Sequence, residues 1–173
     1  MSPPPRALAI DLDGALGDTR PLWSDWLAAA ARVLPLDPDT LPDDRSGAAD
    51  ALDAAAGNWR VLLERFAEER APLYLRPHPD TSAALRRLKA AGARLGVFTD
   101  APLELAQVAL SQLGASRRVT VVEAGPGALD RLLAELGEDA EVIRTPTQLV
   151  EAAPENARSS DATSPQERHP RSR

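Results

Sequence analysis

The sequence predicts an α/β fold built on a short parallel sheet. Short apolar runs alternate at close spacing with segments of helical periodicity, which is typical of right-handed βαβ units. The first apolar run, residues 7–10, contains no charged residue, as expected of a strand buried on both faces. This run ends in two carboxylates and a glycine, at the edge where an open α/β sheet places its functional groups.

Asp11 and Asp13 follow this strand directly and are separated by one leucine. Side chains alternate in an extended segment, so the two carboxylates are predicted to project to the same side. Carboxylates this close repel each other and tend to keep a proton or collect a cation. Gly14 is expected to let the chain turn at backbone angles that other residues avoid. The two carboxylates and the glycine could provide a nucleophile, an acid/base and a magnesium site. The alternative is that the carboxylates are solvated and only cap a turn at the end of the strand.

Residues 18–78 are predicted to form a small all-helical insert. The predicted helices are residues 21–34, 46–57 and 58–71. Ser46 and Asn58 are the expected caps of the second and third helices, and Pro72 is the expected stop. The apolar residues recur at helical spacing, so the aromatic side chains are expected to pack between helices rather than to line a substrate site.

Strand and helix alternate from residue 80 onwards. The predicted strands are residues 95–98, 119–122 and 141–143, and the predicted helices are residues 80–91, 101–113 and 126–136. Thr99 ends the second strand and is expected to lie next to Asp11, while Asp100 is expected to cap the following helix. His78, flanked by prolines, is interpreted as a hinge residue, with a catalytic histidine as the alternative.

Composition excludes several classes of site and partner. A net charge of −6 over 173 residues argues against nucleic acid or an anionic membrane as a partner. The absence of cysteine excludes disulfides, zinc–thiolate sites and a thiol nucleophile. No stretch forms a signal-peptide core or spans a bilayer, so we expect a soluble, cytoplasmic protein. Residues 154–173 carry no aliphatic side chain larger than alanine and are expected to be a disordered tail.

The stretch DLDGALGDT, residues 11–19, resembles the first motif of the haloacid dehalogenase-like (HAD) superfamily, usually written DxDGTLxDS. The resemblance implies that Asp11 attacks phosphorus and that Asp13 acts as acid/base, with both carboxylates at the magnesium site. Ala15 stands where the family usually has Thr or Val.

The stretch PDTSAALRRLKAAGARLGVFTD, residues 79–100, is similar to the segment that leads into the second HAD motif. Thr99 then matches the hydroxyl that binds the transferring phosphoryl group. The alternative is that Thr99 only caps the next helix.

The third HAD motif is missing. It supplies a lysine near the start of the helix after the third strand, where this chain reads EAGPG, residues 123–127. The sole lysine, Lys89, precedes the second motif and lies in a predicted helix, so it cannot fill this role.

The fourth motif, usually GDSxxD, supplies acidic magnesium ligands after the fourth strand, where this chain reads VIRTPTQL. Aligned through Leu149, Arg144 and Gln148 replace the two acids. Shifted by one residue, Thr145 and Leu149 replace them. Neither alignment keeps a carboxylate, so magnesium binding is expected to be weak or lost.

Arg144 is predicted to point towards the two carboxylates and to pair with Asp11 or Asp13 in a bidentate fork, in place of the metal. The alternative is that its guanidinium turns outward to solvent. Gly14, Asp100 and Arg144 are also expected to contact the substrate.

The resemblance implies a Rossmann-like HAD core, residues 1–17 and 79–153, with a helical cap, residues 18–78. It further implies a magnesium-dependent phosphomonoester phosphatase acting on a small phosphorylated metabolite. Activity is expected to be weak, because the lysine and the second set of acids are missing. The alternative is a catalytically inactive pseudo-phosphatase that binds a ligand or a partner.

Overall fold

A computed structural model describes residues 5–155 and shows an α/β fold of four strands and seven helices. The elements are β1 (Ala7–Asp11), α1 (Arg20–Ala30), α2 (Arg45–Ala55), α3 (Trp59–Tyr74), α4 (Pro79–Ala90), β2 (Arg94–Thr99), α5 (Leu103–Gln112), β3 (Val121–Ala124), α6 (Ala128–Leu136), β4 (Glu141–Ile143) and α7 (Pro146–Ala152). A π-helical turn, Leu12–Leu16, follows β1, and a 3-10 turn, Pro38–Thr40, precedes α2.

The four strands form one parallel sheet in the order β3-β2-β1-β4. The chain moves outward from β1 through β2 to β3 and then returns to the other side of β1 as β4. An open sheet of this kind has its ligand crevice beyond the carboxyl ends of the strands, where the direction of winding reverses. Asp11 is paired with Phe98 in the register, so β1 and β2 end side by side at that crevice. The predicted fold class is confirmed.

Helices cover both faces of the sheet. Leu8 and Ile10 of β1 are fully buried in the larger apolar cluster, which also contains side chains from α1 to α5. Ala9 and Phe98 face the smaller cluster, which α6 completes with Leu132 and Leu136. The absence of a side chain at Gly96 allows this packing, because a Cβ there would lie 2.5 Å from Leu132 Cδ1. Burial on both faces explains the uncharged first strand.

The helical segment between β1 and α4 packs through its aromatic residues. The rings of Trp23 and Trp26 have centroids 5.1 Å apart, and those of Trp26 and Trp59 are 5.6 Å apart. All three indoles are buried in the cluster that covers one face of the sheet, which confirms their predicted place in the core. Helix α3 lies along α5, so this segment contacts the core directly. The boundaries of the insert at residues 18 and 78 stay a prediction.

Several element boundaries differ from the sequence predictions. Helix α1 ends at Ala30, four residues early, in a series of turns. Helix α3 continues through Pro72 to Tyr74, because a proline near the helix end costs only one donor and Leu75 N still bonds Ala71 O at 2.8 Å. Strand β3 begins at Val121 rather than at residue 119, since the amide of Val119 is held in a turn by Ala115 O.

Helix α7 was not predicted, although its start has a clear signal. Thr145 caps the helix, Pro146 is its first residue, and Gln148 completes a capping box. The residues aligned with the acids of the fourth motif therefore lie just before and within a capped helix.

Two predicted caps are wrong, and a third has the predicted position without the hydrogen bond. Asp44, not Ser46, caps α2, because its carboxylate accepts from Gly47 N at 2.6 Å. Asn58 is the N-cap residue of α3, but its side chain makes no capping hydrogen bond. Asp100 does not cap α5, which begins at Leu103 after Pro102. The carboxylate of Asp100 binds an arginine instead.

His78 precedes α4 and is exposed, with its Nδ1 4.0 Å from the carboxylate of Asp80. The predicted tail lies outside the described residues, except for Pro154 and Glu155. Among residues 5–155, no helix combines the length and the apolarity needed to cross a membrane.

Candidate active site

Asp11 lies at the carboxyl end of β1, beside the end of β2. Its Oδ1 accepts hydrogen bonds from Asp13 N at 3.1 Å and Gly14 N at 3.3 Å, which fixes the π-helical turn that follows the strand. Its Oδ2 accepts no hydrogen bond from residues 5–155. One oxygen of Asp11 is therefore held by the backbone while the other stays available at the sheet edge.

Gly14 is required by its neighbours rather than by its dihedral angles. It is not among the glycines with positive φ, so the predicted role in an unusual turn is wrong. A Cβ at Gly14 would instead collide with the carbonyl oxygen of Arg144. The missing side chain lets the turn after β1 lie directly against the loop after β4. Contact of Gly14 with substrate stays a prediction.

Asp13 is almost enclosed, with 11% of its side chain exposed, and both of its oxygens are occupied. Oδ1 accepts from Thr19 N at 2.7 Å and from Thr19 Oγ1 at 2.5 Å. Oδ2 accepts from Thr99 Oγ1 at 2.9 Å and from Arg45 Nη2 at 2.5 Å. Four donors fill the lone-pair positions that an ionised carboxylate offers.

Arg45 is the site residue that sequence reasoning missed. It is the first residue of α2, and its side chain is 6% exposed. Besides Asp13, its guanidinium donates to Thr19 Oγ1 at 2.6 Å and to the carboxylate of Asp100. The local sequence, an arginine in a polar loop before an alanine-rich helix, carries no sign of burial. Only the packing of α2 over the strand ends places this charge inside.

The two carboxylates have opposite electrostatic environments. Burial raises the pKa of the Asp11 carboxyl, and the nearby negative charge of Asp13 raises it further. Hydrogen bonds from the backbone N–H groups of Gly14 and Asp13 act in the opposite direction but do not cancel the rise. Burial also acts to raise the pKa of Asp13, but the Arg45 charge and the Thr19 hydrogen bonds outweigh it and hold that pKa below its usual value. The surroundings of Asp13 therefore favour its ionised form, whereas burial disfavours the ionised form of Asp11.

Thr99 is buried at the end of β2 and serves two purposes at once. Its hydroxyl donates to Asp13 Oδ2 and accepts from Ala101 N at 3.1 Å. The expected neighbourhood of the first motif and the alternative cap-like contact are therefore both present. Its contact with a phosphoryl group stays a prediction.

Arg144 does not form the predicted fork with Asp11 or Asp13. Within residues 5–155 it makes no ion pair, and its guanidinium carbon lies 5.5 Å from the ring centre of Phe98. The backbone N–H of Arg144 donates to Gln148 Oε1 at 2.8 Å, which ties this residue to the start of α7. The arginine that pairs with the first motif is Arg45, whereas the charge of Arg144 acts on Asp11 only from a distance and favours a lower pKa there.

The residues present do not fit a resident magnesium ion. Both carboxylate oxygens of Asp13 are occupied, and Arg144 and Thr145 follow β4 where acidic ligands are expected. Within the described chain, no group of three or more His, Cys, Asp or Glu residues could hold a metal. Magnesium is usually bound through one or two carboxylates together with waters and substrate phosphates. Asp11 Oδ2 and the second oxygen of Asp100 meet only a small part of that requirement.

A cleft of about 410 Å³ opens beyond the strand ends, which is enough for a small ligand. Its walls include Asp11, Ser46, Thr99 and Asp100 on one side, and the loop and first turn of α6, residues 125–130, on the other. The second wall occupies the place of the third HAD motif. The sequence has no lysine in this wall, and Gly125 and Gly127 adopt positive φ angles.

Residues 5–143 match the sequence model of the haloacid dehalogenase-like hydrolases. This chain belongs to that family. The N-acetylmuramic acid 6-phosphate phosphatase of Pseudomonas aeruginosa is 31% identical to this HAD chain over 134 residues. The matched segment is 68% of this chain and 58% of the relative, so this chain spans less than two thirds of that enzyme's length.

Two solved structures share the fold of this HAD chain. A protein assigned as a β-phosphoglucomutase from Thermotoga maritima superposes with a TM-score of 0.51 at 20% identity, over 84% of this chain and 80% of the other. CbbY from Rhodobacter sphaeroides, solved in complex with phosphate, superposes with a TM-score of 0.56 at 21% identity, over 79% and 76%. At these identities the likeness shows the fold.

Proposed function

We propose that this HAD chain is a phosphomonoester hydrolase of low turnover that acts on a small phosphorylated metabolite, with Asp11 as nucleophile. The observation that carries the proposal is the environment of Asp11 at the end of β1. One of its oxygens is held by backbone N–H groups, and the other is free beside the cleft. The phosphatase name of the Pseudomonas aeruginosa relative supports the reaction type, and its name also supports a sugar phosphate as the substrate class.

In the proposed reaction, Asp11 Oδ2 attacks phosphorus, the bond from phosphorus to the substrate oxygen breaks, and an aspartyl phosphate forms. Water then attacks that phosphorus, releases inorganic phosphate and returns Asp11. Thr99 is the expected hydroxyl beside the phosphoryl group, with Asp100, Gly14 and Arg144 as expected substrate contacts.

The weak step is departure of the leaving group. An alkoxide needs a proton, which the family takes from the residue at the position of Asp13. Here that carboxylate is ionised and holds four hydrogen bonds, so it lacks a proton to donate. General acid catalysis contributes on the order of 10²–10⁴ in rate, and the missing lysine removes further charge stabilisation. These two losses support a slow hydrolase.

The test is a panel of phosphomonoesters assayed with wild type, Asp11→Asn and the matched control Asp18→Asn. Asp18 is a nearby carboxylate that pairs with Arg20 at the surface. We expect aryl phosphates, whose leaving groups need no proton, to be cleaved on the order of 10²-fold faster than alkyl phosphates. Activity should vanish in Asp11→Asn and persist in Asp18→Asn.

The second candidate is a pseudo-phosphatase that binds a phosphorylated ligand without cleaving it. The saturated state of Asp13 favours this candidate, since it leaves the site without an available proton donor. Binding of a sugar phosphate by calorimetry, with no turnover of any ester in the panel, would select it over the hydrolase.

A further inference from the structure

The buried positive charge of the site comes from the helical segment rather than from the sheet. Arg45 begins α2, yet its guanidinium reaches the turn after β1 and the end of β2 through Asp13 and Asp100. Asp100 is 58% exposed, whereas the Arg45 side chain is almost completely enclosed. A guanidinium presents several donors in a fixed fork, so one side chain can hold two carboxylates and a hydroxyl at once.

These contacts use the oxygens that a divalent cation would need. Asp13 carries its full set of four donors, and one of the Asp100 oxygens accepts from Arg45. The second candidate cation, Arg144, makes no ion pair within residues 5–155 and lies over Phe98. The site therefore offers a metal only Asp11 Oδ2 and the exposed second oxygen of Asp100, and it already holds one arginine in its interior.

We infer that Arg45 is a positioning residue that supplies the fixed positive charge of this site, keeps the Asp13 carboxylate from binding a divalent cation and leaves Asp100 only one oxygen for one. The site then operates without resident magnesium. Helix α2 must be docked on the core for the negative charges of Asp13 and Asp100 to be balanced by Arg45. This inference rests on the proposed function only for the identity of the reacting carboxylates.

The test is a calorimetric titration of the full chain with Mg²⁺ alone, which requires no turnover. We expect wild type to bind Mg²⁺ no more tightly than about 1 mM, because the site has few free carboxylate oxygens and a fixed positive charge beside them. By ligand linkage, about 5 mM Mg²⁺ should then stabilise wild type by no more than about 1 kcal/mol and raise its melting temperature by no more than about 2–4 °C.

Arg45→Gln removes the positive charge and releases one hydrogen-bond position on Asp13 and one on Asp100, so it should bind Mg²⁺ at least about tenfold more tightly than wild type. The matched control is Arg60→Gln, which breaks another ion pair between the helical segment and the core. That pair, Arg60 with Glu104 at 3.2 Å, lies outside the Asp13 cluster. Its loss should leave Mg²⁺ affinity unchanged.

Arg45→Gln leaves a buried carboxylate without its partner and can fail to fold. Arg45→Lys covers that case, since it keeps the charge but cannot reproduce the three-way fork. We expect Lys to restore stability and to bind Mg²⁺ with an affinity between those of wild type and Arg45→Gln, a rescue that a merely structural role would not produce.

Micromolar Mg²⁺ binding by wild type would overturn the inference. So would a folded Arg45 variant, Gln or Lys, with the same Mg²⁺ affinity as Arg60→Gln. Failure of the proposed function looks different: no ester is hydrolysed, while the Mg²⁺ titrations still order the variants as described.

Discussion

Thr99 Oγ1 donates a hydrogen bond of 2.9 Å to Asp13 Oδ2, although 86 residues separate the two in sequence. The parallel register of β1 and β2 creates this contact, because it ends both strands at the same edge of the sheet. The same hydroxyl accepts from the backbone N–H of Ala101 at 3.1 Å. Thr99 thus joins the first motif to the segment that leads into α5.

Replacing Thr99 with valine should show what this bridge contributes. Thr99→Val keeps the shape but removes a buried hydrogen bond to a charged acceptor, so we expect the free energy of unfolding to fall by about 2 kcal/mol. Urea denaturation at neutral pH measures it. Thr99→Ser, which keeps the hydroxyl, is the control and should lose only about 1 kcal/mol for its buried methyl group. A Thr99→Val protein as stable as wild type would show that the bridge contributes nothing.

Asparagine at the two aspartates should have opposite effects on stability. Asp13→Asn leaves the buried Arg45 without its charged partner and should lower the free energy of unfolding by about 3 kcal/mol or more. Asp11→Asn removes a carboxylate whose pKa is raised by burial, so it should be neutral or stabilising at neutral pH. Chemical denaturation of both variants under one condition provides the comparison. The reverse order of stability would contradict the electrostatic assignment of the pair.

The same two carboxylates predict a pH dependence of stability. The pKa of Asp13 is below its ordinary value of 3.8 in the folded state, so the folded state binds this proton less readily than the unfolded state does. The stabilising contribution of the Asp13 carboxylate is therefore complete above its ordinary pKa of 3.8 and is lost as the pH falls through the lower folded-state pKa. We expect the stability difference between wild type and Asp13→Asn to shrink below about pH 4, as measured by denaturation at a series of pH values.

Asp11 has the opposite sign. Its pKa is raised above 3.8 in the folded state, so its contribution declines as the pH rises from 3.8 through the folded-state pKa. Asp11→Asn should accordingly gain stability relative to wild type over that rise. Parallel pH profiles for the two asparagine variants would show that the environments of the two aspartates do not differ.

The helical segment is expected to open more readily than the sheet. Two arginines, Arg45 and Arg60, connect it to the core by ion pairs, and α3 lies along α5. Lids of this kind move as units around short hinges. Hydrogen exchange should show the amides of α1 and α3 exchanging faster than those of β2, and Arg45→Gln should accelerate the amides of α2 further. Equal protection in all these elements would indicate one fused core without gating.

The parallel sheet and the position of the first two motifs could be predicted because both depend on short stretches of sequence. An uncharged apolar run that ends in Asp-x-Asp-Gly places Asp11 and Asp13 at a strand end, and a second run places Thr99 at the neighbouring end. Strand ends of a parallel sheet meet at one edge, so the neighbourhood of these residues follows from the pattern alone. The loss of the motif lysine is likewise visible in the residue types.

The charge balance of the site was decided by tertiary structure. Arg45 is an ordinary arginine in a polar stretch, and its burial exists only because α2 docks over the strand ends. The direction of Arg144 depends on Phe98 and on the capping of α7, and the need for glycine at position 14 depends on the carbonyl of Arg144. A long flexible side chain can reach several partners, so the sequence does not determine which of them it binds. The period of an apolar run, in contrast, already determines which face of the backbone is buried.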